Sequence, residues 1–233
     1  MEQKQIQLGQ IQINNVLQRK ISIIGGTGSG KTTSLKMLAL KSKEAGIHTF
    51  IFDPLNVIYI DGFNRILITK KSKEKGKELG ILLNKLSHKD CVIIAFKDML
   101  QEEMASFCDA VFAVWNAYDD MICFDEIHEF VPRIQGEPSQ EVNRAIRHWR
   151  NKDCGFIFTS QRVSMVNTNV IALTDYLVVL RTTWKNDLVV LEELLGNISK
   201  EESKAVLSKV QTFPFLCGYS IDFRYTDQKQ SLH

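Results

Sequence analysis

Short apolar segments alternate with amphipathic segments along most of this chain. The apolar segments are hydrophobic at nearly every position, which is typical of strands buried on both faces of a sheet. They cover residues 20–24, 48–52, 63–69, 92–96, 121–124, 155–161 and 176–180. Between most of them, apolar residues recur at helical spacing. These predicted helices cover residues 31–45, 79–86, 100–115, 138–149, 185–195 and 200–209.

This alternation predicts an α/β fold with a mostly parallel central sheet and helices on both of its faces. We expect a single domain over residues 19–225, because no repeat or low-complexity linker divides the chain. Residues 1–18 predict either a strand or hairpin added to the sheet or a partly ordered arm. Residues 213–225 predict one or two further strands, and 226–233 predict a flexible tail.

The composition is that of an ordinary soluble globular protein, with 44% hydrophobic and 24% charged residues among 233. The net charge of +2 gives no general electrostatic argument for nucleic-acid binding. The five cysteines form no Cys-x-x-Cys pair and predict buried, reduced thiols, which suits a cytoplasmic location. No apolar run approaches about 18 residues and no signal peptide begins the chain, so we expect neither export nor a transmembrane segment.

Residues 25–32 match the phosphate-binding P-loop, or Walker A motif, G-x-x-x-x-G-K-[ST]. An apolar strand precedes the motif and an amphipathic helix follows it, which argues against a glycine-rich turn that matches by chance. Glycines let backbone N–H groups approach phosphate oxygens, and the start of the helix adds its positive end. The predicted nucleotide-binding residues are Gly25, Gly26, Thr27, Gly28, Ser29, Gly30, Lys31, Thr32 and Thr33.

A second motif, residues 121–126, is an apolar strand that ends in two carboxylates, as in a Walker B motif. Asp125 is predicted to hold Mg²⁺ together with the Thr32 hydroxyl. Glu126 is predicted to deprotonate the attacking water, which favours ATP hydrolysis over transfer to a small molecule. The alternative is a solvated acidic turn. A GTPase is disfavoured because the chain has no N-K-x-D motif.

Two further features could complete an active site. Gln161 ends the strand after Walker B, where it could bind the γ-phosphate or the attacking water, or be a solvated loop residue. Arginines at positions 144, 147, 150, 162 and 181 could include one that stabilises the γ-phosphate, although each alone is more typical of a helix surface. His128 completes the D-E-x-H spelling of helicases, and it could either couple nucleotide to a moving element or only pack in a loop.

Together these motifs resemble the FtsK–HerA superfamily of DNA-pumping ATPases, and its HerA-like branch most. That branch includes genome-packaging ATPases of some viruses. The similarity spans about residues 20–200 and lies in the order and spacing of the matching strings. These strings are Gly25–Thr32, Phe52-Asp-Pro54, Phe124–Phe130, Arg147–Gly155, Thr159–Arg162, Leu180-Arg181 and Leu194-Leu-Gly196.

The resemblance implies a RecA-like (ASCE) P-loop NTPase that binds ATP and Mg²⁺. It makes Gln161 a sensor of the γ-phosphate and makes Arg147 or Arg150 an arginine finger that acts on a neighbouring subunit. Members of the superfamily form homo-oligomeric rings, typically hexamers, that thread double-stranded DNA through a central pore. One departure is that Leu55-Asn56 replaces the usual H-G after D-P, which leaves the role of Asp53 open.

The chain has no room for the additional modules of the longer relatives, so the resemblance implies a minimal motor. The leading hypothesis is an ATP-driven translocase of double-stranded DNA, with viral genome packaging as the specific candidate. A viral capsid or membrane component is then a further candidate partner, and the location is the host cytoplasm or the virion. The alternatives are a related ATPase that powers protein or filament extrusion, or a nucleotide-dependent switch.

Overall fold

A computed structural model describes residues 4–8, 11–86, 90–133, 139–194, 200–212, 218–222 and 229–231. The strands are β1 Ile6–Leu8, β2 Ile11–Ile13, β3 Lys20–Ile24, β4 His48–Asp53, β5 Asn64–Thr69, β6 Val92–Lys97, β7 Asp120–Phe124, β8 Gly155–Ser160, β9 Tyr176–Leu180, β10 Gly218–Asp222 and β11 Lys229–Ser231. The α-helices are α1 Lys31–Glu44, α2 Gly76–Leu83, α3 Gln101–Phe112, α4 Gln140–His148, α5 Thr168–Ala172, α6 Lys185–Leu194 and α7 Lys200–Val210.

The main sheet has the strand order β11-β10-β9-β3-β8-β7-β4-β6-β5 in the described part of the chain. The seven strands from β9 to β5 run parallel, whereas β10 and β11 are antiparallel additions at one edge. Strand β8 lies between β3, which leads into the P-loop, and β7, which carries the Walker B motif. The mostly parallel sheet and the RecA-like arrangement are therefore confirmed.

Each central strand contributes alternate side chains to two separate hydrophobic cores, as the pleat of a strand requires. On one face, Phe52, Phe124 and Phe158 pack with side chains of α2, α3, α4, α6 and α7. On the other face, Ile23 and Ile157 pack with α1 and the N-terminal segment. Both faces of the sheet are thus covered, which explains why its strands are apolar at nearly every position.

The N-terminal segment forms a hairpin that is separate from the main sheet. Strands β1 and β2 pair antiparallel, with Ile6 opposite Ile13, and both side chains are buried. Lys41 of α1 donates a hydrogen bond from Nζ to the carbonyl of Gln7 at 2.8 Å. The two described strands of this segment thus lie on α1 and do not pair with the described strands of the main sheet.

Several predicted boundaries differ from the structure. Residues 229–231, expected in a flexible tail, pair with β10 as strand β11, while 226–228 and 232–233 lie outside the described residues. The expected helix start at Pro138 also lies outside them, and α4 follows Ser139, whose Oγ accepts a hydrogen bond from Val142 N. The short helix α5 was not predicted, because five residues are too few to show helical periodicity.

Four cysteines, Cys91, Cys108, Cys123 and Cys154, are buried free thiols, as predicted, and Cys217 lies outside the described residues. Burial raises the pKa of each of these four thiols, to about 12 for Cys154, so they are poor nucleophiles. No helix within the described ranges has the length and hydrophobicity needed to cross a membrane.

Candidate active site at the carboxyl edge of the sheet

The P-loop lies between β3 and α1, where the sequence places it. Gly28 and Gly30 have positive φ angles of 72° and 104°, which side chains rarely tolerate. A Cβ atom on Gly25 would lie 2.5 Å from Ser29 Oγ and 2.8 Å from Leu180 Cβ. Glycine is therefore required at the first position by close packing and at the other two by backbone conformation.

Two neighbouring strand ends fasten the loop from outside. Gly25 N donates to the carbonyl of Ser160 at 3.2 Å, and Gly26 N donates to the carbonyl of Arg181 at 2.7 Å. These acceptors follow from the strand order, because β8 and β9 flank β3 on either side. The loop is thus held in place by the strands that carry the candidate sensor and the L-R motif.

Asp125 follows β7 and faces the first turn of α1. Thr32 Oγ1 lies 3.3 Å from both carboxylate oxygens of Asp125. Thr159 Oγ1 donates to Asp125 Oδ1 at 2.6 Å. Burial raises the pKa of Asp125 to about 6; the Thr159 hydrogen bond opposes the rise, and the carboxylates of Glu126 and Asp53 add to it. An approaching cation would therefore stabilise the charged form of Asp125.

A second buried carboxylate, Asp53, ends the adjacent strand β4. Its Oδ2 accepts a hydrogen bond from Ile58 N at 2.7 Å, and its Oδ1 has no hydrogen-bond partner among the described residues. The register of β4 and β7 explains the proximity, because Phe52 pairs with Phe124 immediately before the two aspartates. Sequence reasoning left the role of Asp53 open, since only the strand order shows that it adjoins Walker B.

These oxygen donors fit Mg²⁺ bound together with phosphates. Mg²⁺ is usually held by one or two carboxylates and substrate oxygens, and Thr32 and Asp125 offer that set. Within the described ranges, no group of three or more His, Cys, Asp or Glu side chains could hold a metal alone. The site therefore suits a metal–nucleotide complex better than a cage made of protein ligands.

Glu126 is buried between the P-loop and the sensor strand, at a positive φ of 47°. Its Oε1 lies 3.6 Å from Lys31 Nζ, and its Oε2 accepts a hydrogen bond from Gln161 N at 2.8 Å. Its own backbone N donates to Thr159 Oγ1 at 2.9 Å. Lys31 Nζ also donates to the carbonyl of Gly26 at 3.3 Å. A solvated acidic turn is thus excluded, because Glu126 is only 6% exposed.

Thr159 in β8 and Gln161, just after β8, connect the Walker B carboxylates with the P-loop. Gln161 Oε1 accepts a hydrogen bond from Thr27 Oγ1 at 3.0 Å, so this side chain touches the P-loop directly. Thr159, through one hydroxyl, donates to Asp125 and accepts from the backbone of Glu126. Sequence reasoning missed Thr159; its position two residues before Gln161, on the same side of the strand, was the available signal.

His128 lies behind Glu126 in a buried helical turn. Its Nδ1 is 3.4 Å from Glu126 Oε2 and 3.2 Å from Ser160 Oγ, and its Nε2 is 3.4 Å from Glu129 Oε1. The histidine of the D-E-x-H string therefore contacts both the candidate base and the sensor strand.

The candidate arginine fingers are not brought into this site. Arg147 and Arg150 are exposed at the end of α4 and in the turn that follows. The turn that carries Arg150 lies beside the segment before β3, because Gln18 Nε2 donates a hydrogen bond to Asp153 Oδ1 at 2.7 Å. Five residues of β3 separate that point from the P-loop by about 16 Å. These arginines thus lie at the opposite, amino edge of the sheet.

The remaining arginines of the predicted set have other environments. Arg144 pairs with Glu141 at 3.5 Å on the surface of α4. Arg162 stacks on Trp184 and pairs with Asp187, and Arg181 contacts the P-loop through its backbone carbonyl.

Known proteins share the sequence pattern and the fold of this chain. The family model of the central domain of the helicase HerA matches residues 3–208. No curated protein matches the sequence.

Solved structures with the same fold have low sequence identity. The genome-packaging NTPase B204 of Sulfolobus turreted icosahedral virus 2, in complex with AMPPCP, superposes with a TM-score of 0.64 at 16% identity, covering 93% of this chain and 98% of that chain. The bacterial conjugative coupling protein TrwB, in complex with the GTP analogue GDPNP, superposes with a TM-score of 0.65 at 12% identity, covering 100% and 90%. With the family match, the P-loop and Walker B geometry show that this chain belongs to the HerA central-domain family, within the FtsK–HerA type of P-loop NTPases.

Proposed function

We propose that this chain hydrolyses Mg²⁺-bound ATP and uses the energy to move double-stranded DNA. One observation carries the hydrolytic part: Glu126, buried and hydrogen-bonded by Gln161 N, lies beside the P-loop lysine. A general base in this position suits water as the acceptor of the γ-phosphoryl group.

Binding uses the P-loop and the start of α1. The backbone N–H groups of residues 27–32 and the positive end of the helix attract the β- and γ-phosphates. Lys31 leaves Glu126 for the phosphates, which frees the carboxylate for water. Thr32 and Asp125 would hold Mg²⁺, which supplies positive charge against the phosphate oxygens when bound.

Hydrolysis then follows from the positions of Glu126 and Gln161. A water oxygen attacks the γ-phosphorus while Glu126 accepts the proton of that water, and the bond from the γ-phosphorus to the bridging oxygen breaks to release ADP. Gln161, at 3.0 Å from Thr27, is placed to orient the water or to bind a γ-phosphate oxygen. Loss of the γ-phosphate would change this contact, which is how Gln161 acts as a sensor.

A neighbouring copy of the chain is proposed to complete the site. The phosphoryl group gains much from an arginine in the transition state, and Arg147 and Arg150 lie at the edge remote from their own P-loop. A ring, typically a hexamer in the superfamily, would place one subunit's amino edge against the next subunit's nucleotide. The proposal includes a homo-oligomeric ring around DNA.

Double-stranded DNA is the proposed cargo because the chain belongs to the HerA family. The structural relatives are described as a genome-packaging NTPase and a conjugative coupling protein, both of which suit this cargo. Viral genome packaging is the finer version of the proposal, with a capsid component as partner and the host cytoplasm or virion as location.

The test is ATP turnover with and without linear duplex DNA, for the wild type and for Glu126→Gln. We expect DNA to stimulate the wild type, and we expect Glu126→Gln to lower turnover by about 10²- to 10⁴-fold. Binding of a non-hydrolysable ATP analogue should persist, because the amide oxygen still accepts from Gln161 N. Glu102→Gln, at an exposed carboxylate of α3, is the matched control and should retain wild-type turnover.

The outcomes separate the rival functions. Turnover that is indifferent to DNA would contradict the translocase and would favour an ATPase that moves protein or filaments. Tight ATP binding with no turnover under any condition would favour a nucleotide-dependent switch.

A further inference from the structure

One tryptophan differs sharply from the other two. Trp115 and Trp149 are buried in the core, with 4% and 8% exposure, whereas Trp184 is 54% exposed. Trp184 lies between β9 and α6, three residues after Arg181. An exposed tryptophan offers a large apolar face on which a ligand or partner can pack.

The ring of Trp184 is fixed by a second side chain. The guanidinium carbon of Arg162 lies 4.4 Å from the centre of the ring, so a cation covers one face. Arg162 Nε is 3.2 Å from Asp187 Oδ2, and Asp187 is only 1% exposed. Asp187 Oδ1 also accepts hydrogen bonds from the N and Oγ of Ser164, at 3.0 and 2.7 Å. The pair is therefore anchored to α6 and presents the other face of the ring.

The two chain segments that carry this pair are both fastened to the P-loop. Gln161, next to Arg162, accepts from Thr27 Oγ1, and the carbonyl of Arg181 accepts from Gly26 N. Three residues of extended chain from Arg181 reach about 11 Å at most. The distance from Trp184 to the loop that is proposed to hold the phosphates is thus short enough for one nucleoside to span.

We propose that Trp184 stacks on the purine base of the nucleotide, with Arg162 supporting the ring from its other face. The inference rests on the proposed binding of ATP and names the part of the site that holds the base. Every base has a π-face, so stacking discriminates poorly between bases. ATP and GTP should therefore bind with similar affinity, and inorganic tripolyphosphate should bind without involving Trp184.

Tryptophan fluorescence tests this directly, because Trp184 is the exposed one of the three. A non-hydrolysable ATP analogue should change the exposed-tryptophan emission of the wild type, whereas tripolyphosphate should not. Trp184→Phe should abolish the change while keeping the affinity for the analogue within about 3-fold, since phenylalanine still stacks.

Affinity measurements give the second readout. Trp184→Ala should lower the affinity for the ATP analogue by about 10-fold and leave the affinity for tripolyphosphate unchanged. Tyr118→Ala, at another half-exposed aromatic ring, is the matched control and should change neither affinity. If Trp184→Ala binds the analogue as tightly as the wild type, or lowers the affinity for both ligands equally, the proposed stacking of Trp184 on the base is wrong.

The test also separates this inference from the proposed function. A wild type that neither binds nor hydrolyses ATP would overturn both. Normal ATP hydrolysis with unchanged analogue affinity in Trp184→Ala would overturn only the proposed stacking of Trp184 on the base.

Discussion

The carboxyl edge of the sheet buries its charged side chains against one another, whereas the amino edge leaves Arg147 and Arg150 exposed. At the carboxyl edge, Lys31 pairs with Glu126 and Thr32 contacts Asp125. Each of these groups is positioned by the chain itself. At the amino edge, the turn that carries Arg150 is separated from the P-loop by the length of β3, about 16 Å.

The difference indicates which part of catalysis one chain can supply. The described residues at the carboxyl edge are proposed to provide phosphate-binding, metal-binding and general-base groups. The Arg162 side chain at this edge is engaged by Asp187 and Trp184. A head-to-tail contact would bring the amino edge of one copy to the carboxyl edge of the next, which is the geometry that closes into rings.

Removing the arginines at the amino edge should have the largest effect. We expect Arg147→Ala or Arg150→Ala, tested separately, to lower ATP turnover by about 10³-fold or more, because an arginine finger contributes that much to the transition state. Because both side chains are exposed, the melting temperature should change by less than about 1–2 °C. Arg144→Ala on the same helix is the control. Full turnover in both variants would show that neither residue is the finger.

Removing a charge at the carboxyl edge should lower activity but increase stability. The pKa of Asp125 is raised to about 6 by burial, so its folded state favours the neutral form. That stabilisation is complete below the unfolded pKa of about 4 and is lost as the pH rises through 6. At pH 8, Asp125→Asn should therefore raise the free energy of unfolding by about 1–2 kcal/mol, or the melting temperature by roughly 3–6 °C.

The pH dependence distinguishes this cause from a general packing effect. At pH 3, below the unfolded pKa of about 4, the melting temperatures of Asp125→Asn and the wild type should converge, since Asp125 is then largely neutral in both the folded and the unfolded state. Asp61→Asn, at an exposed carboxylate, should show no difference at either pH. A variant that is less stable than the wild type at pH 8 would show that the buried charge of Asp125 does not destabilise the fold.

The parallel sheet could be predicted from the sequence because strands buried on both faces are apolar at nearly every position. The P-loop could also be predicted, because its glycines are required by local structure. Gly28 and Gly30 have positive φ angles, and Gly25 is closely packed. Local requirements of this kind leave residue types at fixed spacing.

Contacts that depend on strand order could not be predicted in the same way. Asp53 adjoins Asp125 only because β4 pairs with β7, and Thr159 bridges Asp125 and Glu126 only because β8 lies beside β7. The position of the hairpin on α1 likewise depends on tertiary packing, since its alternating pattern fits any partner surface. The pairing of Arg162 with Trp184 joins residues 22 positions apart and has no local signature.

A mixture of two inactive variants shows directly whether two subunits share one active site. Glu126→Gln keeps the amino-edge arginines, and the inactive arginine variant keeps its own Glu126. When they are mixed in equal amounts before assembly with duplex DNA, about one quarter of the interfaces should combine an intact Glu126 with an intact arginine from the neighbour. Turnover should reappear in the mixture if neighbouring subunits share an active site; a mixture as inactive as its components would show that they do not.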